Sequence, residues 1–536
     1  MTLEPATAVE VESPGTWTLG YEASGEGIRQ GGAIALHVWP EWGWTAPQIE
    51  DPRAPGFIDF HVEGSTARLR ALRVSPDGTL HDAIWLRVEE GALAPGARVE
   101  IEYRNATAGR FAGRHQGFAI FTDADGDGTF RRVEPAATLD VVAGAPADLW
   151  VVARSPGPEG DGVEARVSLL DRWGNLIRTR GMQGAVPAVF ASDEASGLSG
   201  ISSRIWRPGE AAERRVYWGD LHGHAGWSDG VGAPEDYYRY ARDAAGLDFA
   251  ALTEHDAIGP FHLDAGRWSG LIETAEAFHA PGRFVTLFGY EYTNWATGHL
   301  TVLSPSSSLP LLSAADPRFD RVEELWAELA KLEDVPVLTV PHHSGGSSMA
   351  TDWSHFDPRF VRTVELFSVH GSSECYRCAV RVQNPRRGSF VLDALQRGYR
   401  LAFIGSGDTH NGHPGRNPRL RPHRTGLAGV WARALTRDAI WEAIEGGHSF
   451  ATTGARILPR LGRDGDSFTL DVRAADEIAK VEILKNGRVA YRRLLSAVEV
   501  EDRWRDPQAP ESGDFYYLRV TESSGHMAWT SPIYVP

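Results

Sequence analysis

From the start of the chain to about residue 205, apolar positions fall in short alternating runs. AIALHVW, ARLRALRV, AIWLRVEE, RVEIEYR, DLWVVARS and ARVSLLDRWGNLIR are separated by Gly, Pro, Asp and Asn, and no long helical period interrupts them. A period of two between turn residues predicts an antiparallel β-sandwich, or a pair of small ones, over residues 1–205. The segment around Trp206 to Glu213 connects this region to the next.

After Arg215 strand-like runs alternate with helix-like ones. VYWGDLH precedes PEDYYRYARDAA, which opens at Pro234 and stops at Gly246, and FAALTEH follows. The alternation continues through FVTLFGYE, HLTVL, VEELWAELAKL, VPVLTVPHH, TVELFSVH, FVLDALQRG and LAFIGSGDTH, with a last helix at TRDAIWEAIEGG. Repeated β/α units predict parallel strands wrapped by helices, an α/β barrel over residues 214–455. From residue 456 to 536 alternating strands return as SFTLDVRA, KVEILKNGRVAYRR, DFYYLRVTE and WTSPIYV. KNGR fits a two-residue hairpin turn, and a small C-terminal β-domain is expected.

The central strands end in metal-ligand residue types: WGDLHGH, LTEH, FGYE, TVPHH, ELFSVH and IGSGDTH. Parallel β/α barrels carry their sites at the C-terminal ends of strands, so these residues should converge on one mouth. A single histidine such as His299, His370 or His413 is more often a hydrogen-bonded residue than a ligand. The set taken jointly is not explained that way. In an extended HxH, alternate side chains point the same way and can share one ion.

Composition narrows the chemistry. A net charge of -17 over 536 residues opposes a nucleic-acid or anionic-membrane partner held by bulk electrostatics. Lysine occurs only at Lys331, Lys480 and Lys485, away from the histidine clusters, which argues against a Schiff base. Cys375 and Cys378 form one CxxC, readable as a redox pair, half of a zinc site, or two small residues near a loop. No run of about 18 apolar residues appears, and MTLEPATAVEVESPG lacks a basic segment followed by an apolar core. The expected location is cytoplasmic, with export of a longer precursor as the alternative. Outside the barrel region, DADGDGTFRRVE makes Asp123, Asp125 and Asp127 candidate calcium ligands. Its flanks FAIF and FRRV read as strands, so an acidic hairpin turn is the alternative.

GDLHGHAGWSDG, ALTEHD, GYE, VPHH and GSGDTH resemble, in order, the motifs of the PHP (polymerase and histidinol phosphatase) superfamily of metal-dependent hydrolases. The resemblance covers roughly residues 215 to 455 and implies a distorted (β/α)7 barrel. It implies that His222 and His224 bind a first metal with Asp408, that Glu291 bridges to a second held by His342, and that His255 and His410, near Asp229, bind a third. His343 stands where many relatives have Pro. VELFSVHGSSE, SFATTGARI and MAWTSPIYV resemble a bacterial branch with flanking β-domains, which is similar to hydrolases of aryl methylcarbamate esters.

Imidazole and carboxylate ligands suit two or three Zn, Mn or Fe ions, and a metal-activated hydroxide would attack phosphorus or a carbonyl carbon. His343, His370 or His413 would then protonate the leaving group, and Glu365 would ligate or orient a ligand. Asp220 is expected to orient a ligand too. The candidate substrate-binding residues are Arg416, His413, His299, Trp227 and Trp295. Arg416 after the DTH motif favours a phosphoester of a small molecule. The aromatics Trp227, Tyr292, Trp295 and Trp353 favour an aryl carbamate or carboxyl ester. A third reading is a non-catalytic binding protein with a degenerate barrel.

Overall fold

The computed structural model describes residues 1–74, 83–154, 163–184, 188–205, 213–259, 261–416 and 425–536. The connecting segment 206–212 lies outside the described residues. In the N-terminal region one sheet runs, in order, Thr2–Glu4, Pro14–Glu22, Arg98–Thr107 and Phe57–Glu63. The facing sheet runs Val9–Glu10, Ala137–Val142, Gly113–Asp123, Ala33–His37, Ala83–Glu90 and Arg68–Val74. Along Arg98–Thr107 the alternate residues Val99, Ile101 and Tyr103 are buried, and they join Trp17, Ile34 and Leu36 in one core between the sheets. A second core, built on Leu149, Val151 and Val167, lies under the three strands Pro146–Ala153, Val163–Asp171 and Leu176–Gly184 and the hairpin Phe190–Asp193/Leu198–Ile201.

In the central region Arg215–Asp220 (β1), Phe249–Ala250 (β2) and Val285–Thr286 (β3) pair in parallel. Phe288–Tyr292 (β4), Leu300–Ser304 (β5) and Leu338–Pro341 (β6) form a second sheet, which is antiparallel. Thr363–Ser368 (β7) and Ala402–Gly405 (β8) are again parallel. The uniform parallel arrangement expected from β/α alternation therefore fails between residues 288 and 341. The apolar run FVTLFGYE splits at Leu287, with β3 in one sheet and β4 in the next, and Tyr292 faces Leu300 across a hairpin with no intervening helix. Gly298, at φ +102°, makes that return possible, because a side chain there would strike the Thr351 backbone at 2.8 Å.

Leu221, Phe249, Val285, Leu303, Leu338, Ile404 and Val430 nonetheless share one buried core, so strands from all these small sheets enclose a common interior. Helices cover it. Pro234–Arg239 (α1) continues as the π-turn Tyr240–Ala244, and Val322–Leu329 (α3), Val391–Gln396 (α4) and Arg437–Glu445 (α5) occupy the expected helical runs. Ala265–Phe278 (α2) is a helix the sequence reading passed over. Its signals are local: Asp264 caps it, accepting from Arg267 N at 2.8 Å, and Trp268, Leu271 and Ala275 recur at helical spacing and are buried.

Leu427–Ala432 (β9) runs antiparallel to β1, and Ser449–Thr452 (β10) antiparallel to β9. The C-terminal hairpin Ser467–Lys485 (β11) and Arg488–Arg505 (β12) turns at Asn486 and Gly487, both with positive φ as a type I′ turn demands. Phe515–Glu522 (β13) pairs with β11, and Met527–Thr530 (β14) pairs with both β13 and β10. One hydrogen-bonded sheet thus crosses the boundary predicted at residues 455 and 456. Among the described residues no helix is long and apolar enough to cross a membrane.

Candidate metal centre

The centre is assembled on short extended segments that continue beyond the strands. After β1, Gly223 bridges in parallel to Thr409: Asp408 N donates to His222 O and His224 N to Thr409 O, both at 2.8 Å. Extended backbone sends His222 and His224 to the same side. After β2, Asp256 N donates to Glu291 O at 2.8 Å and Glu291 N to Glu254 O at 2.9 Å, which fixes His255 beside Glu291.

Glu291 is the hub. Its Oε2 lies 3.0 Å from His222 Nε2 and 3.1 Å from His224 Nε2; its Oε1 lies 2.7 Å from His299 Nδ1, 3.1 Å from His342 Nε2 and 3.3 Å from His255 Nδ1. Asp408 Oδ1 lies 3.5 Å from both His222 Nε2 and His224 Nε2. Asp229 Oδ1 lies 3.4 Å from His410 Nε2 and 3.7 Å from His255 Nε2. The donor atoms fall into overlapping groups whose members lie within 4.8 Å of one another: His222, His224, Glu291 and Asp408; His224, Asp229, His255 and His410; His299, His342 and His343; and His255, Glu291 and His299. These groups could hold metal ions. His343 and Asp408 are non-glycine residues in left-handed backbone, φ +34° and +51°, a costly conformation that packing must enforce.

The electrostatics are those of interleaved opposite charges. Burial pushes the Glu291 and Asp408 carboxyls up, but the surrounding imidazoles outweigh it and hold both well below the usual range. Burial likewise disfavours charge on His224, yet Asp408 and Glu291 raise it to about 10, whereas burial wins at His255 and brings it to about 3. Several buried donor atoms, His224 Nδ1 and Nε2, Asp229 Oδ1, His299 Nε2 and His343 Nδ1, lack hydrogen-bond partners in this arrangement. So many unsatisfied polar atoms in one buried spot is what a set of cation ligands requires, and it is costly otherwise.

Around this set stand residues that orient it. Glu365 Oε2 lies 2.9 Å from His222 Nδ1, leaving Nε2 to face the cluster, so it stands behind a candidate ligand. Thr301 Oγ1 lies 3.3 Å from His342 Nδ1 and Thr293 Oγ1 2.8 Å from His255 Nδ1. Asp220 reaches the cluster only through backbone: it accepts from His222 N at 3.3 Å, from Gly407 N at 2.7 Å and from Gly415 N at 2.9 Å, and so ties β1 to the loop that bears Asp408. Burial raises it to about 7. Glu254 was not singled out from sequence, although it adjoins His255. It accepts from Trp227 N at 3.1 Å and from Ser228 and approaches His224 Nδ1 at 4.0 Å.

Other candidates are placed differently from expectation. His299 stands with its donor atoms near those of Glu291 and His342, and it immediately precedes β5, whose antiparallel course brings its start to the cluster. His343 also falls within ligand distance, and His370 sits at the edge with Nε2 3.1 Å from Asp408 Oδ2 and Nδ1 3.0 Å from Ser347 Oγ. Arg416 does not face the cluster: Nη2 donates to Asp148 Oδ2 at 2.7 Å and the guanidinium lies over the Trp150 ring, so its charge is committed to the N-terminal region. His413 is likewise removed, sandwiched by Tyr240 and Phe111 with Nε2 3.1 Å from Asn175 Oδ1. Trp227 packs on Gly270 of α2, and Trp353 and Tyr292 are buried with Nε1 and OH bound to Ser389 O and Phe319 O. Trp295 alone among these aromatics is exposed, 46%, and its ring meets His299 edge-on at 5.0 Å.

Cys375 and Cys378 are disulfide-bonded to each other and supply nothing to the centre. Asp123, Asp125 and Asp127 gather at a hairpin turn, where Gly126 N and Gly128 N donate to Asp123. Glu134, the final position of the calcium pattern, is bound by Arg267 of α2 instead.

The family described as "Protein of unknown function (DUF3604)" matches residues 248–357 and 416–487. The chain is similar to an uncharacterized protein of Chlamydia pneumoniae, 25% identical over 364 residues, and to one of Chlamydia trachomatis, 24% identical over 368 residues; each match covers 60% of this chain and 57% of the relative. The chain therefore matches a little over half the length of these curated relatives. Among solved structures, a two-domain Bacteroides vulgatus protein containing a predicted PHP-like metal-dependent phosphoesterase aligns at a TM-score of 0.36 and 16% identity, covering 60% of this chain and 96% of that one. PsfC of Pseudomonas syringae aligns at a TM-score of 0.26 and 14% identity, covering 40% of this chain and 82% of its own.

Proposed function

We propose that this chain is a metal-dependent hydrolase of the PHP type, built on a distorted (β/α)7 barrel and acting on a phosphoester. The observation that carries the reading is the convergence of five imidazoles on Glu291, with Asp408 and Asp229 beside them. His222, His224, Asp408 and Glu291 would hold a first ion, Glu291 with His342 and His299 a second, and His224, Asp229, His255 and His410 a third. Bound divalent ions would acidify a shared water and neutralise charge developing on a substrate oxygen.

Imidazoles that bind a cation would give up their extra proton and be neutral, and carboxylates are few among the candidate ligands. Two or three dications there leave an excess of positive charge that favours an anionic phosphoester over a neutral ester. His370, part-exposed, is suited to deliver a proton to the leaving group. Burial disfavours its charge, but Asp408 outweighs that and raises it. A second reading rests on Trp295, whose exposed ring beside His299 would stack on an aryl carbamate or carboxyl ester.

Metal analysis of the purified chain followed by assay with p-nitrophenyl phosphate, bis-p-nitrophenyl phosphate and 1-naphthyl methylcarbamate separates the readings. Turnover of either phosphate ester above the carbamate supports the proposal, and the reverse favours the second reading. Metal-loaded protein inert to all three supports a binding protein, and absence of metal defeats both enzymatic readings.

A further inference from the structure

The His224, Asp229, His255 and His410 group differs from the group around His222 in one respect. Asp229 and His410 are only part-buried, whereas His222, His224, Glu291 and Asp408 are all buried. Ligands open on one side are held only as firmly as the groups outside them allow.

Here the outside group comes from the N-terminal sandwich. Trp42 lies on the single 3-10 turn Pro40–Trp42, after the strand Ala33–His37. Its indole Nε1 donates to the backbone carbonyl of Asp229 at 3.1 Å. Its ring is nearly parallel to the His410 imidazole, 18° between planes with centroids 6.2 Å apart. His410 stacks on His224 at 4.0 Å, and His224 on His255 at 4.4 Å. A column of rings thus passes from the sandwich into the centre.

Trp42 is itself held in place. Arg110 N donates to its carbonyl at 2.8 Å, and the Phe111 ring meets it edge-on. Gly43 closes the turn at φ +95°, where a Cβ would meet the Arg110 side chain at 2.5 Å.

We propose that Trp42 is a positioning residue that sets the affinity of the His224–Asp229–His255–His410 group for a divalent cation, making the N-terminal sandwich part of the metal centre. This role rests on the metal-centre reading above. Its test uses the full chain, stripped by chelator, reloaded with zinc, desalted, and measured for metal content and for stepwise release to a competing chelator. Wild type holds an ion that leaves first. Trp42→Ala binds that ion at least about tenfold more weakly while retaining the others, Trp42→Phe falls between, and His410→Ala loses the same ion. Thermal melts monitor folding, and if Trp42→Ala unfolds, Trp42→Phe decides: weaker binding of that ion alone, by less than about tenfold, supports the role. Metal content and release in the Trp42 variants equal to wild type overturn the role, as does an unchanged His410→Ala. Wild-type protein that takes up no zinc overturns the metal-centre reading instead.

Discussion

Glu365 offers the sharpest test of how the centre is held. It makes no direct claim on an ion; it fixes His222 by accepting from Nδ1 at 2.9 Å, with both side chains almost wholly buried. Replacing it with Gln keeps an acceptor in place but removes the charge that makes the imidazole a stronger donor to metal. Carboxylates behind ligating histidines typically contribute 10- to 100-fold in affinity, and each factor of ten is about 1.4 kcal/mol. Glu365→Gln should therefore weaken metal binding about tenfold. Glu365→Leu also strands a buried N–H, which costs roughly 1–3 kcal/mol, so its loss should approach about 100-fold. Titration of stripped protein against a chromogenic chelator measures both values, and circular dichroism confirms the fold. Wild-type affinity in Glu365→Leu would refute the reasoning, because it would mean that His222 keeps its orientation without the carboxylate. Equal losses in Gln and Leu would assign the whole effect to charge.

Two further outcomes follow from buried groups away from the centre. His413 is pushed by burial down to about 3, so the fold excludes a proton that the unfolded chain takes up below about 6.5. Stability is then lost as pH falls from 6.5 toward 3, by about 2 kcal/mol between pH 7 and pH 5; urea unfolding at the two pH values should show a smaller loss in His413→Gln, and equal losses would exclude the assignment. Glu374, also buried, accepts from Tyr517 OH at 2.8 Å, Trp529 Nε1 at 2.9 Å and Arg519 Nη1 at 2.8 Å. Glu374→Leu should destabilise the chain by about 3 kcal/mol, since it leaves buried donors without their acceptor, and a thermal melt unchanged within error would contradict this.

The strand-end residues could be picked out in sequence because alternation and chain direction are local properties, and His222, His224, His255, Glu291, His342, Asp408 and His410 do lie together. The place of His299 in the cluster is not legible in the sequence for a reason of direction. A rule that looks only at the ends of parallel strands cannot see a residue placed just before an antiparallel one. Arg416 and His413 were assigned too near the centre because their partners, Asp148 and Asn175, lie more than 230 residues earlier and belong to another sheet system. Helix α2 was missed although its cap and spacing are visible, since its exposed face carries Gly, Ser and Glu rather than a long apolar stripe.

The sheet that passes from β9 through β10 to β14 also bears on where the chain can be cut. A fragment ending after residue 455 would retain β10 but lose its pairing with Met527–Thr530, leaving N–H and C=O groups of Phe450–Thr452 unpaired along an edge. Such an edge is a template for a strand from another molecule, so the excised central region should self-associate. The C-terminal strands act as an edge guard, and the smallest well-behaved piece containing the centre extends to β14.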